Sequence, residues 1–218
     1  MGDMFLWGRR GSGKTLEAVK EVWLSWLLGF EIWGNLWLHP YFDINYKTKK
    51  RGNYHYIDAV DLIKLLLDEK IPDTNTQKIL VLDEMKTQAN ARSFSSFINK
   101  HLVNFISQAR KRNFQVIYTG QILSEYDKWI RLMTDKIVAC RPIIDPNNMG
   151  WGDNNYPEPI YFEYIEAQLD EQEPEGFRIE KTYYRSRQTA RMFYPCYKTR
   201  QVITPVELKY SDIGDKTV

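Results

Sequence analysis

The chain has 218 residues, of which 43% are hydrophobic and 27% are charged, as expected of one globular domain with a substantial core. Its formal net charge of +2 does not by itself indicate a nucleic-acid partner. Two isolated cysteines exclude a disulfide framework and favour an intracellular setting, while three scattered histidines argue against a zinc site.

The first predicted element is a short buried strand at 4–7, which runs directly into the motif G-x-x-x-x-G-K-[ST]. Because this motif starts so early, no signal peptide is expected before it. In such a loop the backbone N–H groups cradle phosphates, the lysine reaches the β and γ oxygens, and the last hydroxyl holds Mg²⁺. A helix predicted at 15–28 would present its N-terminus to the anion. The sequence therefore predicts a nucleotide-binding loop made of Gly8, Arg9, Arg10, Gly11, Ser12, Gly13, Lys14 and Thr15.

The following segment, 22–38, is apolar and rich in tryptophan. Glu31, Gly34 and Asn35 interrupt it, so it falls short of the roughly 18–20 apolar residues that a membrane span needs. We predict a buried helix and then a buried strand at 30–33, with no membrane span. Next come a loop with four basic residues and a helix that Asp58 caps. The basic residues of that loop are Lys47, Lys49, Lys50 and Arg51.

A second part of the nucleotide site is expected where the apolar run 79–82 ends. A continuous apolar run of this kind is typical of a central parallel strand. Asp83 follows it and can bind Mg²⁺ through water, together with Thr15. Glu84 comes next and can orient and deprotonate an attacking water. The pair predicts that the bound nucleotide is hydrolysed.

An amphipathic helix predicted at 97–109 leads through a basic cluster at 108–113 into a buried strand at 116–118. The cluster can contact a phosphate backbone, supply a catalytic arginine, or be a solvated helix end that the helix dipole favours. Gln121 closes the strand, which in a parallel sheet would lie beside the strand ending in Asp83. Its amide can sense the γ-phosphate or position water, or satisfy the backbone of a loop.

The negative charge on the γ-phosphoryl group in the transition state is usually stabilised by an arginine. Four arginines are candidates, any of which can act across a subunit boundary, and the sequence does not choose among Arg92, Arg110, Arg112 and Arg131. The two arginines inside the loop, Arg9 and Arg10, are expected to face solvent or a neighbouring subunit.

A short helix at 124–133 and a strand at 137–139 continue the alternation of helices and strands. This alternation predicts a mostly parallel sheet with helices on both faces. Beyond a loop rich in proline, asparagine and glycine, alternating segments at 160–165 and 177–184 predict an antiparallel hairpin at the sheet edge.

We therefore predict an α/β fold in a single domain over 1–218, with a core at 4–141 and a carboxyl-terminal β extension at 142–218. Charge is unevenly spread in that extension. Residues 158–175 carry acidic but no basic side chains, and residues 178–200 are predominantly basic.

In the order of its motifs, the chain resembles the FtsK–HerA division of additional-strand P-loop ATPases. Within that division it is most similar to zonular-occludens-toxin-like phage proteins and viral genome-packaging ATPases. The resemblance spans 5–141 and rests on the segments GRRGSGKT, GNLWL, KILVLDE and SQARKRNFQVIYTGQ. Members share an asparagine after the second strand, an arginine after the acidic pair, a basic helix end, a glutamine closing the next strand, and a later arginine. These features match Asn35, Arg92, Arg110 with Lys111, Gln121 and Arg131.

The resemblance implies a RecA/FtsK-like core that uses ATP and Mg²⁺, and a hexameric or pentameric ring that moves double-stranded DNA. A ring can place the loop at 47–51 or the basic segment at 178–200 at its pore, where nonspecific phosphate contacts suffice. Toxin-like members typically continue into a membrane-spanning region and larger translocases carry extra domains, and we expect neither in this sequence. It looks more like a viral packaging ATPase, working in the host cytoplasm or with the virion, with a portal, membrane or capsid protein as partner.

Three functions stay open at this stage. The first is an ATPase that translocates double-stranded DNA, and the second is a toxin-like phage assembly or extrusion ATPase that works on a protein partner. The third is a nucleotide-gated switch protein with slow hydrolysis. A small-molecule kinase fits less well because Glu84 beside Asp83 suits water activation, and the lack of an Asn-Lys-x-Asp motif disfavours a GTPase.

Overall fold

One sheet of eight strands runs through the part of the chain that a computed structural model describes, residues 2–58, 61, 64, 75–84, 101, 103–122, 128–144, 159–170 and 176–198. The strands are β1 Met4–Trp7, β2 Glu31–Gly34, β3 Tyr54–Tyr56, β4 Lys78–Leu82, β5 Phe114–Gly120, β6 Lys136–Ile143, β7 Tyr161–Leu169 and β8 Phe177–Ser186. Across the sheet they lie in the order β3-β2-β4-β5-β1-β6-β7-β8.

The continuous α-helical runs in these ranges are α1 Lys14–Leu27, α2 with the helical residues 103–109, α3 Lys128–Met133 and α4 Arg187–Phe193. Residues 61, 64 and 101 are also helical. Helix α1 begins after Gly13, whose φ is 88°, and ends just before Gly29, whose φ is 86°. Left-handed glycines at both ends set its length because other residues rarely adopt this conformation. Among the described residues, no helix has the length and apolarity that crossing a bilayer requires.

Strand β5 lies between β1, which leads into the nucleotide-binding loop, and β4, which leads into the acidic pair. It pairs in parallel with β1 on one side and with β4 on the other. Parallel strands end at the same edge of a sheet, so the carboxyl ends of β1, β4 and β5 meet there. We call this the carboxyl edge, and the opposite one the amino edge. The predicted mostly parallel sheet is confirmed, and Gln121 does follow the neighbour of the strand that ends at Asp83.

The predicted hairpin is confirmed as β7 and β8, which pair antiparallel with each other, while β7 also pairs antiparallel with β6. Strand β6 runs on to Ile143, across the expected boundary between core and extension at 141. The hairpin is thus a continuation of the main sheet and lies on the side of β1 and its loop.

Side chains alternate between two apolar cores, one on each face of the sheet. Leu6 of β1 packs with the inner side of α1, whereas its neighbour Phe5 packs on the other face with α2. The same alternation separates Val81 from Leu82 in β4. Burial of both faces explains why these strands read as continuous apolar runs.

Two described elements were not predicted. Strand β3 has three residues, Tyr-His-Tyr, and no apolar run, and it becomes a strand by pairing with β2 at the sheet edge. Helix α4 lies within the basic segment and begins where Ser186 Oγ accepts a hydrogen bond from the Thr189 amide at 3.2 Å. The predicted cap by Asp58 is present, since its Oδ1 accepts from the Asp61 amide at 2.8 Å. The first part of the helix predicted at 97–109 lies largely outside the described residues.

Candidate nucleotide-binding site

The loop at 8–15 is shaped by glycines at positions where a side chain would not fit. A Cβ on Gly8 would lie 2.3 Å from the Cys140 carbonyl oxygen, and one on Gly13 would lie 2.6 Å from Cδ1 of Phe162. Both glycines also have positive φ, as does Gly11. The backbone therefore passes close to β6 and β7 before it enters the N-terminus of α1, where an anion is favoured.

Two polar side chains of the loop point into its interior. Lys14 is buried, and its Nζ donates hydrogen bonds to the carbonyl oxygens of Gly8 at 2.9 Å and Arg9 at 3.0 Å. Ser12 is fully buried, and its Oγ has no hydrogen-bond partner within the described ranges. A buried hydroxyl without a partner is costly, so the loop has an unmet hydrogen-bonding group that a phosphate oxygen would satisfy.

Asp83 meets the loop at the end of β4, as a magnesium-binding carboxylate would have to. The Thr15 hydroxyl lies 3.2 Å from both Asp83 carboxylate oxygens, and the Thr119 hydroxyl donates to Oδ1 at 2.7 Å. Hydroxyl and carboxylate oxygens are the ligand types that Mg²⁺ prefers in sites of this kind. The donor set present fits a bound magnesium nucleotide.

The backbone around the acidic pair is held from two sides. Asn35 makes two hydrogen bonds to Asp83, accepting from its amide at 2.7 Å and donating to its carbonyl at 2.8 Å. Thr119 accepts from the Glu84 amide at 3.0 Å while its own proton goes to Asp83. Glu84 has a φ of 45°, a left-handed conformation that is unusual for a non-glycine residue. The backbone is therefore strained directly after Asp83, at the position of the proposed base.

Burial dominates the electrostatics of the site. It raises the pKa of Asp83, against the lowering effect of the Thr119 hydroxyl, and nearby Glu84 adds to the rise. It lowers the pKa of Lys14, although the carboxylates of Glu84 and Asp83 work in the opposite direction. A desolvated lysine and carboxylate side by side gain most from ligands of opposite charge, because burial weakens screening by water. A polyphosphate with a divalent cation supplies both charges.

Three of the remaining predicted residues lie in the nucleotide-binding loop or beside it. Gln121 is exposed at the carboxyl edge, one residue after Gly120, whose carbonyl accepts from the Gly8 amide at 3.2 Å. Arg9 and Arg10 are exposed, as the sequence predicted for them. The backbone at Gln121 therefore lies beside the loop, and the role of its side chain stays a prediction.

The structure does not bring Arg110 to the loop of its own chain. It lies in a 3-10 turn before β5, at the amino edge, and its guanidinium pairs with Asp135. Arg112 is in the same turn and donates to Gln108 Oε1 at 3.0 Å. A catalytic contribution from either residue would have to reach the site of a neighbouring subunit. Arg131 lies in α3, with no described hydrogen-bond partner for its buried Nε, and Arg92 is outside the described residues.

Sequence reasoning missed several residues that build the site. Thr119 was seen only as the end of a strand, because its link to the acidic pair depends on the register between β4 and β5. Tyr164 of β7 donates to the Gly13 carbonyl at 3.2 Å. Arg185 of β8 contacts the buried Glu17 of α1. Its place within the basic run at 178–200 carried no signal for this buried partner.

Comparison with known proteins gives relatives among phages. No family model matches the chain. The chain is 28% identical over 210 residues to the Gene 1 protein of Escherichia phage If1, covering 90% of this chain and 58% of that protein. It is 30% identical over 147 residues to the Gene 1 protein of Enterobacteria phage f1, covering 65% of this chain and 42% of that protein. The chain thus spans about half the length of the curated relatives it matches.

Solved structures share its architecture. The genome packaging NTPase B204 from Sulfolobus turreted icosahedral virus 2, in complex with ATP-gammaS, matches with a TM-score of 0.50 and 12% identity, over 83% of this chain and 97% of that chain. The N-terminal domain of zonular occludens toxin from Neisseria meningitidis matches with a TM-score of 0.50 and 17% identity, over 91% of this chain and 100% of that chain.

Sheet order, phosphate loop and structural neighbours together define the P-loop NTPase fold. More narrowly, the chain is homologous to the Gene 1 proteins of phages. The resemblance to toxin-like phage proteins and viral packaging ATPases is confirmed, while membership of the wider FtsK–HerA division stays a prediction.

Proposed function

We propose that this chain is an ATP-hydrolysing phage motor whose site is the loop at 8–15 together with Asp83 and Glu84. The observation that carries the proposal is the meeting of Thr15, Asp83 and Thr119 beside the buried Lys14. A glycine-rich turn without a ligand would not require a buried lysine, a desolvated carboxylate and a strained glutamate at one edge of the sheet.

Each residue has a distinct part in the proposed reaction. The loop amides and Lys14 would bind the phosphates, while Thr15 and Asp83 would hold Mg²⁺. Bound magnesium ATP would supply the γ-phosphoryl group, with part of its negative charge neutralised by the magnesium ion. Glu84 accepts a proton from the attacking water, and Gln121 orients that water or senses the γ-phosphate. The transition-state arginine is Arg92 or Arg110, and Arg110 would act on the site of a neighbouring subunit.

Double-stranded DNA is the substrate that we propose for the motor. B204 is a genome packaging NTPase, and the same fold here carries exposed basic residues outside the nucleotide site. We propose a homo-oligomeric ring of six or five subunits, each a single domain, acting in the host cell with a portal, capsid or membrane protein. Contacts with DNA would be to the phosphate backbone and independent of sequence.

A second candidate is a phage assembly ATPase that acts on a protein partner. Homology to phage Gene 1 proteins and the structural likeness to the zonular occludens toxin domain favour it. The two candidates share the nucleotide site and differ in whether duplex DNA accelerates turnover.

ATP turnover of the wild type and of Glu84→Gln, with and without duplex DNA, tests the proposal. Loss of a general base typically costs 10²–10⁴ in rate, so we expect Glu84→Gln to reduce turnover by about 100-fold or more while retaining nucleotide binding. Glu180→Gln, on the exposed hairpin, is the matched control and should keep wild-type turnover. Equal turnover in Glu84→Gln and the wild type would refute the catalytic assignment.

Native mass measured alongside separates the candidates. A ring whose turnover rises with duplex DNA supports the DNA motor, and a ring with DNA-independent turnover supports the assembly ATPase. Slow turnover by a monomer, unaffected by DNA, would favour a nucleotide-gated switch.

A further inference from the structure

The β7–β8 hairpin contacts the last glycine of the phosphate loop directly. The Tyr164 hydroxyl donates to the Gly13 carbonyl oxygen at 3.2 Å, and the same oxygen accepts the Glu17 amide at 3.0 Å as the first hydrogen bond of α1. Phe162 lies so close to Gly13 that no side chain would fit there. The hairpin therefore sets where the loop ends and the helix begins.

A second contact holds the first turn of α1. The Glu17 carboxylate is almost fully buried, with 1% of its side chain exposed. It accepts from the Tyr183 hydroxyl at 3.0 Å, from Lys20 Nζ at 2.9 Å and from Arg185 Nε at 3.4 Å. Tyr183 stacks on Tyr164 with ring centroids 5.2 Å apart, and the Arg185 guanidinium lies 4.9 Å from the Tyr183 ring. The two contacts are thus joined into one packed cluster.

The charge of Glu17 bears on nucleotide binding. A carboxylate in the first turn suits the helix dipole, but it lies three residues after Lys14, close to the place where phosphates bind. A buried unpaired negative charge would oppose the binding of a polyphosphate, because little water screens it. Arg185 and Lys20 offset this charge, and Arg185 is the partner supplied by the hairpin.

We propose that the β7–β8 hairpin is a positioning element of the nucleotide site, in which Tyr164 holds Gly13 and Arg185 with Tyr183 holds and neutralises Glu17. The proposal rests on the nucleotide site proposed above, and it extends that site to a part of the chain outside the motifs. Tyr164, Tyr183 and Arg185 act through the loop and are positioning residues.

Tyr164→Phe isolates the first contact because it removes one hydroxyl and keeps the stacked ring. Tyr184→Phe is the matched control, since the Tyr184 hydroxyl pairs with Glu163 within the hairpin at 3.1 Å and does not touch the loop. Hydrogen–deuterium exchange of the amides at 8–17 reads out loop order without any nucleotide. We expect exchange to accelerate about three- to tenfold in Tyr164→Phe, as loss of one hydrogen bond implies, and to stay at wild-type rates in Tyr184→Phe. Equal exchange in the two variants would overturn the positioning role of Tyr164.

A double-mutant cycle that neutralises each charge in turn isolates the second contact. Arg185→Gln leaves Glu17 with the Tyr183 hydroxyl and with Lys20, a cation that Glu17 shares with Glu21. Its charge is then only partly offset, and we expect the affinity for a fluorescent ATP analogue with Mg²⁺ to fall about tenfold. Glu17→Gln in the same chain removes that charge, so the double variant should recover most of the affinity. A merely structural role predicts further loss in the double variant, and that result would contradict the inference.

The two measurements keep this inference separate from the proposed function. Faster loop exchange in Tyr164→Phe, beside a wild type that binds the nucleotide but does not hydrolyse it, would support the positioning role and refute the ATPase. Normal hydrolysis, with unchanged exchange and affinity in every hairpin variant, would support the ATPase and refute the positioning role. Urea unfolding of each variant shows whether the chain remains folded under the assay conditions.

Discussion

A single hydroxyl, that of Thr119, links the two acidic residues of the site. It donates to Asp83 at 2.7 Å and accepts from the Glu84 amide at 3.0 Å, so both of its hydrogen-bonding functions serve the acidic pair. Through Asp83 it also joins the hydroxyl of Thr15. Removal of this group should therefore disturb magnesium binding and the position of the base together.

Thr119→Val tests this link because valine has nearly the same shape and no hydroxyl. The Thr119 hydrogen bond lowers the pKa of Asp83, so its loss should let burial raise that pKa further. We expect turnover to fall about tenfold and the acidic limb of the kcat/KM profile to move to higher pH. Thr119→Ser keeps the hydroxyl and serves as control. An unmoved acidic limb in Thr119→Val would show that the hydrogen bond does not tune Asp83.

Residues of the site differ in how far the sequence could predict them. Lys14 and Thr15 sit in a motif whose local spacing encodes their geometry, and Asp83 follows an apolar strand. Thr119 was not predicted, although the sequence placed its strand beside the strand that ends at Asp83. The register that sets Thr119 against the acidic pair is a non-local property, and neighbouring residues in the chain carry no signal for it.

At the level of elements, regular patterns were predictable and the contacts between elements were not. Alternation predicted the β7–β8 hairpin, and continuous apolar runs predicted β4 and β5. The same patterns say nothing about which face of the hairpin meets the loop. Arg185 lies in a basic run that resembles a solvated face, yet it is drawn to Glu17, a buried charge far away in sequence. The short strand β3 exists only through its pairing with β2.

The amino ends of β1, β5 and β6 meet around one buried acid, Asp3. Its Oδ1 accepts from the Val116 amide at 2.7 Å, its amide donates to Asp135 at 2.7 Å, and its carbonyl accepts from the Lys136 amide at 3.1 Å. Burial, the largest effect, raises the pKa of Asp3 from 3.8 to about 6. Because the native state favours the protonated acid, the stabilisation is complete below pH 4 and is lost as pH rises through 6.

Asp3→Asn should remove this pH dependence, since its amide oxygen can still accept from Val116. This increase in the pKa of Asp3 corresponds to a loss of roughly 3 kcal/mol of stability once its carboxyl group is ionised. We expect the free energy of unfolding of Asp3→Asn, relative to wild type, to increase by about 2–3 kcal/mol between pH 4 and pH 7. Urea titrations at several pH values measure it, with the exposed Asp61→Asn as control. A constant difference across this pH range would show that Asp3 does not titrate there.

On the scale of the whole molecule, the sheet separates two chemically different edges. The phosphate loop and acidic pair lie at the carboxyl edge. The basic loop at 47–51 lies toward the amino edge, where Asn45 ties it to Gly29 just before β2 through a hydrogen bond of 2.9 Å. Asn45 Oδ1 also accepts from the amides of Lys47 and Thr48, so the loop is ordered although its side chains are exposed. If DNA binds this loop, its effect on hydrolysis must pass through the sheet.

The double variant Lys49→Ala/Lys50→Ala tests whether this loop is the contact with DNA. Lys49 has a φ of 60°, and alanine keeps the Cβ, so the backbone strain is unchanged. We expect stimulation of turnover by duplex DNA to fall and its salt dependence to flatten, because fewer phosphates are neutralised, while basal hydrolysis stays at the wild-type level. Arg178→Ala/Lys181→Ala removes the same charge from the hairpin and is the matched control. Normal stimulation in the loop variant, with loss in the hairpin variant, would move the proposed DNA contact to β8.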